Sequence, residues 1–484
     1  MTAASELRST AVERAGVLDR VLRPFTEVKP GEGATALLLA LNVFLLLATY
    51  YCIRPVREAL ILSDEGGAEL KSYLAAGQAI LLLGLVPAYG ALADRLPRRN
   101  LLNVVTTFFL ACLVIFYALT RAEAPIAVIF FLWVGIFNLM IVAQFWSFAN
   151  DLYTKEQGER LFPVVAIGAS LGAVLGARLA GWLIPIFGIP QLLLVAAALL
   201  GLAVVISNLV DARQRSRQED HLPLHLTTAE IPAATGEYQI QTVEDSKKLT
   251  VSLPGIGPTS RPGTFRLVFG SRYLLLIALL ILILNWVNTT GEYILGSTVT
   301  GAAEVAVSSG RAGGLSESEF IGRFYSDFLF FVSLAALLLQ LFVVSRLIKY
   351  AGVRVAVLVL PVLALTGYAI LAFAPVLALV RFVKIAENAT DYSIQNTVRN
   401  VLFLPTSRDE KYKAKQAIDS FFQRAGDVLS AAVVFVGVSL LGLGASSFAR
   451  VNLVLALIWV LLALAVGREY VRKSKAQQAS AAPR

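Results

Sequence analysis

The sequence predicts an all-α membrane protein that crosses the bilayer about twelve times, in two halves of six helices. The first observation is composition: of the 484 residues, 57% are hydrophobic and 15% are charged, and the mean hydropathy is +0.70. A soluble domain carries more charge than this. The second is that apolar runs of about 20 residues, the length that spans a bilayer, recur along the chain. The third is a polar stretch at residues 211–268, which divides these runs six and six.

The apolar runs place the helices in order along the chain. The predicted spans of the first half are residues 36–54, 70–93, 101–120, 126–150, 161–184 and 190–210. Those of the second half are residues 273–295, 321–346, 353–373, 376–403, 416–442 and 449–467. We therefore divide the chain into an N-terminal tail (1–35), a first half (36–210), a central linker (211–268), a second half (269–467) and a C-terminal tail (468–484).

Lys and Arg concentrate on one side of the predicted bundle, which sets its orientation. The two tails, the loop around Arg98 and the central linker hold most of them, whereas the opposite loops keep little beyond Lys71, Arg121, Arg311 and Arg450. Cytoplasmic loops carry such an excess. Both termini are therefore predicted to be cytoplasmic, in a bacterial inner membrane. Topology accounts for the net charge of +9, so no nucleic-acid partner is predicted.

The tenth predicted helix carries a stripe of polar and charged side chains. At 100° per residue, an arc of roughly 80° holds six of them. They are Arg381, Lys384, Asn388, Asp391, Gln395 and Arg399. A charge at bilayer depth costs about 3 kcal/mol, so such residues face a bundle interior or a watery cavity. The stripe predicts a polar pathway, with Arg381, Lys384, Asn388 and Asp391 as substrate-binding residues.

Helices one, four and seven add further polar side chains. In helix seven, an arc of about 100° holds four polar residues, Asn285, Asn288, Thr289 and Glu292. They can hydrogen-bond a sugar, a base edge or a carboxylate. In helix one, Pro55 follows Arg54. Because proline has no N–H, one backbone hydrogen bond of the helix is missing, which leaves backbone groups available to a cavity. The predicted binding residues on these helices are Arg54, Arg57, Asn138, Asn285, Asn288 and Glu292.

Ion pairing is the alternative role for every one of these charges, because buried charges in a bundle commonly pair with each other. The candidate cations are Arg54, Arg57, Arg178, Arg381, Lys384, Arg399 and Arg424, and the candidate anions are Glu58, Glu292, Asp327, Glu387, Asp391, Asp419 and Asp427. Lys384 and Glu387 are spaced i, i+3 and can pair within their own helix. Gating or ion-pair roles are predicted for Asp94, Arg95, Asp327, Arg399, Asp419 and Asp427.

The predicted helices contain no histidine and no cluster of cysteines. The two cysteines, Cys52 and Cys112, lie in helices, and the two histidines, His221 and His225, lie in the central linker. Neither a nucleophile beside a base nor a metal site is readily built from these. No enzymatic activity, no metal site, no cofactor and no obligate protein partner are predicted. The N-terminal segment also lacks the pattern of a cleaved signal peptide.

Six plus six helices around a cytoplasmic linker resemble the plan of the major facilitator transporters. The segment GALADRLPRRNLL after helix two is similar to the loop motif of that superfamily, with Gly90 for close helix packing. The resemblance implies that Asp94 and Arg95 belong to a cytoplasmic lock and that helices one, four, seven and ten line a central cavity. Ordinary cytoplasmic charge explains the same arginines equally well.

Longer segments resemble the ATP/ADP translocase family, the nucleotide exchangers of plastids and intracellular bacteria. They include YYCIRPVREAL, NWVNTTGEY and DYSIQNTVRNVLFLPTSRDEKYKAKQAID. The resemblance implies a twelve-helix carrier that exchanges nucleotides. Members of that family place Lys, Glu, Glu and Lys where this chain has Arg57, Asn138, Asn288 and Asp391. Arg57 alone keeps its charge, and Asp391 has the opposite sign, so the resemblance does not fix ATP as the cargo.

We therefore predict a secondary transporter that works by alternating access and exchanges a nucleotide of the ATP/ADP type or a related organic anion. Its partners are a small-molecule substrate and the lipid bilayer. One alternative is a proton-coupled carrier of a small metabolite, with Asp391, Glu292 or Asp327 as the proton carrier. Another is a scaffold that has lost transport, which predicts a dry interior in which every buried cation is paired.

Overall fold

The computed structural model of the chain consists of long α-helices joined by short loops. It describes residues 28–29, 32–93, 98–220, 264–407 and 410–481. Within these ranges nine helices are long and apolar enough to span a membrane, and one of them, Glu317–Phe373, contains two successive helices. The prediction of an all-α polytopic membrane protein is confirmed. Most of the predicted N-terminal tail and central linker lies outside the described residues.

The first half contains six long helices. They are α1 (Glu32–Leu62), α2 (Gly67–Ala93), α3 (Arg98–Arg121), α4 (Ala127–Leu152), α5 (Lys155–Phe187) and α6 (Ile189–Asp220). A capping box fixes the start of α5, because the Thr154 hydroxyl accepts from the Gln157 N–H while the Gln157 side chain accepts from the Thr154 N–H. α6 continues ten residues beyond its predicted end at residue 210.

The second half follows a short helix at Thr264–Gly270. Its helices are α7 (Arg272–Ser308), α8 (Glu317–Leu339), α9 (Ser345–Phe373), α10 (Leu377–Thr390, extended by Asp391–Gln395 and Asn396–Val401), α11 (Gln423–Phe435, preceded by Glu410–Phe422) and α12 (Ala445–Ala481). Gly352 interrupts α9 with a φ of 78°, a conformation that glycine adopts without strain. The turn before Gly352 therefore prolongs α8, and the chain reverses at this glycine.

π-Helical segments interrupt the helices of the second half. One of them, Asp391–Gln395, lies in the middle of α10, and another, Gln340–Val344, follows α8. Such segments insert an extra residue into the helix and are frequent at functional sites. The insertion in α10 shifts the register of everything that follows it. The single arc predicted from Arg381 to Arg399, which assumes 100° for every residue, is interrupted here.

A close helix contact in the first half joins α1 to α5. Gly168, Gly172 and Gly176 of α5 face the backbone of α1, and a Cβ atom built on Gly172 lies 2.3 Å from the carbonyl oxygen of Phe44. Small residues allow membrane helices to approach this closely. The glycine stripe therefore serves helix packing, and it holds α1 rigidly against α5.

We expect Gly172→Ala to lower the free energy of unfolding of the purified protein by about 1–3 kcal/mol, because α1 must move away from α5 to accept the methyl group. Thermal unfolding in detergent measures the change. Gly301→Ala in α7 is the matched control, since its Cβ meets nothing within 4 Å. Equal unfolding temperatures for both variants would contradict the proposed packing.

The two halves meet at one end of the bundle. We call the end at which α1 begins the near end and the end at which α1 finishes, around Leu62, the far end. At the far end the Thr300 hydroxyl donates to the Leu62 carbonyl at 3.3 Å, and the Tyr293 hydroxyl donates to Glu69 at 3.1 Å. Both bonds join α7 to the α1–α2 region. The halves are therefore held together at the far end.

Candidate functional site

A central cavity of about 490 Å³ lies between the two halves, on the near-end side of these contacts. Helices α1, α4 and α5 of the first half and α8 and α10 of the second half form its wall. Its lining side chains are Leu47, Tyr50, Tyr51, Arg54, Asn138, Ser170, Ala173, Ser333, Ala336, Leu337, Gln340, Tyr392 and Asn396. The wall therefore combines aromatic rings, amides and hydroxyls with a single charged group, Arg54.

A second cavity of about 210 Å³, the far-end cavity, lies deeper toward the far end and shares Arg54 and Tyr392 with the central cavity. Its remaining polar and charged lining residues are Arg57, Lys71, Ser72, Gln78, Asn288, Thr289, Glu292, Tyr293, Asn388, Arg424 and Asp427. Charge is dense here, in contrast to the central cavity. Arg54 stands at the boundary between a polar compartment and an ionic one.

Six buried or half-buried charges form a continuous chain beside the far-end cavity. Arg57 pairs with Glu58, and Glu58 also forms an ion pair with Lys71 at an N–O distance of 2.7 Å. Lys71 lies 3.5 Å from Glu292, which belongs to the other half. The chain continues from Glu292 to Lys384 at 3.5 Å and from Lys384 to Glu387 at 3.0 Å. We call this set of six residues the ion chain; it alternates in sign and is neutral overall.

Lys384 anchors the second-half end of the ion chain. Its side chain is 1% exposed, and its ammonium group donates to Glu387 at 3.0 Å and to the side-chain oxygen of Asn288 at 2.9 Å. The Tyr368 hydroxyl donates to the same Glu387 oxygen at 3.0 Å. A buried lysine held by several such partners is a structural cation. The sequence prediction that Lys384 contacts substrate is therefore not supported by its position, whereas its pairing with Glu387 is present.

Arg54 differs from every residue of the ion chain. Among the described residues it has no hydrogen bond and no ion pair within 4 Å, although it is only partly exposed. The Tyr50, Tyr51 and Tyr392 rings share the cavity wall with it. Pro55, which follows it, lacks an N–H, so the Tyr51 carbonyl loses its helical donor beside the cavity. A cation without an ion pair within 4 Å thus lies on the cavity wall, one turn after a carbonyl that Pro55 deprives of its usual helical donor.

The structure brings six of the ten predicted binding residues to the walls of the two cavities. These are Arg54, Arg57, Asn138, Asn288, Glu292 and Asn388. Asn388 donates to Glu292 at 3.2 Å, so α7 and α10 meet through predicted residues. Asn285 does not line either cavity, because its amide is buried and donates to the Ile281 carbonyl at 2.9 Å.

Arg381 and Asp391 also lie away from the described cavity walls. The Arg381 guanidinium stacks over the Phe324 and Phe331 rings, 5.4 and 5.6 Å from their centroids. Asp391 begins the π-helical segment of α10, and its carboxylate has neither a hydrogen bond nor an ion pair among the described residues. The predicted stripe thus sends its side chains into different environments, and its neighbour Tyr392 is the residue that reaches both cavities.

Four of the residues predicted to have gating or ion-pair roles have partners within the described ranges. Asp327 pairs with Arg178 of the first half at 3.2 Å, and Arg399 pairs with Asp419 at 2.7 Å. The predicted Asp427 accepts from Thr289 at 2.8 Å. Asp94 and Arg95 have no described side chains, so their predicted role in a lock stays a prediction.

Lys71 is the residue of the ion chain that sequence reasoning missed. Its place near the start of α2 suggested an exposed loop, yet its side chain is buried and bridges Glu58 to Glu292. The three tyrosines were also missed, because aromatic residues are common in membrane helices. The signal that could have found Tyr50 and Tyr51 is their position one turn before Arg54, on the same helix.

The comparisons with known proteins agree with this architecture. Residues 39–399 match the Major Facilitator Superfamily. No curated protein matches the sequence. Among solved structures, the nucleoside transporter NupG has a TM-score of 0.57 at 15% identity, over 89% of this chain and 98% of that chain. A bacterial homologue of the human lysosomal transporter Spinster, inward-facing and unoccupied, has a TM-score of 0.53 at 14% identity, over 92% of this chain and 99% of that chain.

A third structure, a POT family transporter in complex with 5-aminolevulinic acid, has a TM-score of 0.57 at 11% identity, over 90% of this chain and 96% of that chain. At identities this low the likeness extends to the fold and no further.

Proposed function

Because this chain belongs to the Major Facilitator Superfamily of membrane transporters, we propose that it exchanges organic anions by alternating access through the central cavity. The observation that carries the proposal is Arg54, the one charged residue on the described wall of that cavity. A guanidinium in a membrane bundle that makes no ion pair within 4 Å is stabilised when an anion binds to it. It also presents a planar fork that matches carboxylate and phosphate.

The remaining wall of the central cavity favours an anion that carries a ring. Tyr50, Tyr51 and Tyr392 offer aromatic faces, while Asn138 and Asn396 offer amides that can donate and accept. A nucleotide fits this description, as do aromatic carboxylates. One unpaired cation suits a substrate with one or two negative charges better than a triphosphate, since Arg57 and Lys71 are already paired. Within the nucleotides, the monophosphates are therefore the preferred candidates.

Exchange, rather than one-way transport, follows from the same charge. An empty carrier would have to enclose Arg54 without a direct ion pair as the cavity closes, which is unfavourable because the guanidinium group loses its water. A loaded carrier encloses a neutral pair. The empty form should therefore reorient slowly. After releasing one anion, the carrier must bind another before it can return to the first side. In the predicted orientation the near end faces the cytoplasm of a bacterium.

The test of this function is counterflow in proteoliposomes. We expect labelled anion to enter only when the vesicles contain unlabelled anion, and we expect at least one ring-bearing anion to raise the unfolding temperature of the purified protein. The panel contains nucleoside monophosphates, ADP, ATP, aromatic carboxylates and sugar phosphates, with neutral nucleosides and amines as controls. Equal responses to neutral and anionic ligands, or no exchange of any anion, would reject the proposal.

A proton-coupled carrier is the second candidate, and Asp391 is the observation that favours it. This carboxylate lacks a hydrogen bond and an ion pair among the described residues of a membrane-spanning helix, and such a group accepts a proton readily. We expect an inward proton gradient, acidic outside the vesicles, to accelerate uptake. The variant Asp391→Asn should lose that acceleration but still show counterflow. Asp64→Asn, in the exposed loop after α1, is the control. An unchanged response in Asp391→Asn would exclude this carboxylate as the proton carrier.

The transport-inactive scaffold is the least consistent of the alternatives. It requires a dry interior with every cation paired, whereas the protein has a cavity of about 490 Å³ with the unpaired Arg54 on its wall.

A further inference from the structure

An arginine interrupts the apolar outer face of α5. The exposed residues along this face are Leu171, Leu175, Trp182 and Ile186, of which Trp182 is 58% exposed. Arg178 occupies the same face, three residues after Leu175 and four before Trp182, and its side chain is 37% exposed. In a membrane this face contacts lipid. Arg178 therefore presents a charge to lipid, and it does not line either cavity.

A matching stripe lies on α8, in the other half of the protein. Arg323, Asp327 and Phe331 recur every four residues and are all at least partly exposed. Asp327 pairs with Arg178 at 3.2 Å, and its side chain is 31% exposed. The pair crosses the boundary between the two halves. We call this boundary, formed by α5 and α8, the seam.

A third arginine, Arg381 of α10, lies beside the seam. The Arg381 guanidinium lies over the Phe331 ring, while the Arg178 guanidinium lies over the Phe330 ring at 5.4 Å. The Phe330 and Phe331 rings touch, with 5.2 Å between their centroids. Stacked guanidinium groups remain free at their edges to donate hydrogen bonds. With Arg323, the seam has three arginines and the carboxylate of Asp327, and Glu319 precedes Arg323 by one turn on the same stripe. The seam therefore carries a net charge of about +1 outside the cavities.

The arginines of the seam lie below the far ends of their helices. Arg381 is four residues from the start of α10 and Arg323 six residues from the start of α8. At 1.5 Å per residue they lie roughly 6 and 9 Å from the far ends of their helices. Arginine side chains extend toward the interface from such depths. The guanidinium groups of Arg178 and Arg381 lie deeper, against Phe330 and Phe331, which are 13 and 14 residues from the start of α8. A lipid phosphate bound there must be drawn below the plane of the other headgroups, as local thinning of the bilayer around membrane arginines allows.

We propose that the seam binds the headgroup of an anionic phospholipid, whose phosphate bridges arginines of both halves. The acyl chains then lie along the apolar faces that carry Leu175 and Phe331. A phosphate shared by Arg178 from one half and Arg381 from the other holds the halves together at the far end. The lipid therefore stabilises the conformation in which the far end is closed. This site is separate from the substrate cavity, and it does not depend on the identity of the substrate.

The test compares lipids in nanodiscs that contain the purified protein. We expect phosphatidylglycerol to raise the unfolding temperature by several degrees relative to phosphatidylcholine, and we expect Arg381→Gln combined with Arg323→Gln to lose at least half of that shift. These residues are chosen because Arg178→Gln would leave Asp327 without its partner and could impair folding. Arg450→Gln, an exposed arginine at the start of α12, is the control for general attraction to anionic lipid.

Four results would overturn the proposal. One is an equal shift with phosphatidylcholine or phosphatidylethanolamine, which would remove the requirement for a net negative headgroup. Another is a full phosphatidylglycerol shift in the double variant. The third is an equal shift with inorganic phosphate or glycerol phosphate in phosphatidylcholine nanodiscs, which would identify a soluble anion as the ligand. Loss of the shift in Arg450→Gln as well would assign the effect to general surface charge.

Discussion

Arg54→Gln should abolish counterflow while the protein still folds. Glutamine keeps hydrogen-bonding capacity but removes the only charge on the described wall of the central cavity. Loss of a charge-assisted hydrogen bond to a substrate anion costs about 1.5–3 kcal/mol or more, so the apparent affinity should fall at least 10-fold. The rate should fall further, because the substrate no longer neutralises a residue during closure. Uptake of labelled anion by proteoliposomes measures both effects.

Arg54→Lys separates charge from geometry in the same assay. An ammonium group keeps the charge but loses the bidentate fork, so we expect intermediate affinity with exchange preserved. Arg450→Gln serves as the control for a lost exposed arginine. An Arg54→Gln protein that exchanges anions at the original rate would remove Arg54 from the site. The unfolding temperature of this variant should not fall, because no ion pair is broken.

Lys384→Met should cause a larger loss of stability than Gly172→Ala or any of the arginine substitutions. Lys384 is 1% exposed, and it is the cation shared by Glu387 and Glu292. Removing it leaves the buried carboxylate of Glu387 with the Tyr368 hydroxyl as its remaining hydrogen-bond partner. Breaking a buried pair from one side costs about 3–5 kcal/mol. Thermal unfolding in detergent should show a drop of many degrees, together with reduced yield.

The double variant Lys384→Met with Glu387→Gln tests whether pairing is the cause. It removes one cation and one anion together, so the region stays neutral, and replacing both members of a buried pair is often nearly neutral in stability. We expect it to unfold at a higher temperature than Lys384→Met alone. If the double variant is the less stable of the two, the loss arises from packing rather than from an orphaned charge. Neither outcome depends on the substrate.

The fold was predictable because it rests on properties that add over many residues. The apolar runs of bilayer length and the polar segment between the halves can be recognised without knowing any single contact. Three of the four residues of the predicted α7 stripe line a cavity for a similar reason: α7 is a regular helix from Arg272 to Ser308, so 100° per residue holds throughout. Asn288 and Glu292 accordingly lie on a cavity wall.

The stripe in α10 was harder to predict because the helix is irregular. The π-helical segment begins at Asp391, and nothing in the local sequence marks it. Beyond this point the register used for the prediction no longer applies. Gln395, which was predicted to face the polar pathway, is buried. Arg381, at the other end, was misplaced because its aromatic partners lie on another helix and carry no charge.

Pairing between distant residues was the other limit. The sequence supplied a list of cations and anions of equal size, but it could not say which of them meet. Arg54 and Arg57 are one turn apart on the same helix, yet one is unpaired and the other belongs to the ion chain. The partner that decides this is Glu58, together with Lys71 from α2. Tertiary packing, rather than local pattern, distinguished the cavity cation from the structural one.

The ion chain also implies that opening the far end separates charge. Arg57, Glu58 and Lys71 belong to the first half, whereas Glu292, Lys384 and Glu387 belong to the second, and the Lys71–Glu292 contact at 3.5 Å is the link between them. Parting the halves there leaves one net positive wall and one net negative wall, both newly wetted. Water and dissolved salt stabilise separated charges. The balance between the two conformations should therefore shift with ionic strength, toward the form open at the far end as salt concentration rises.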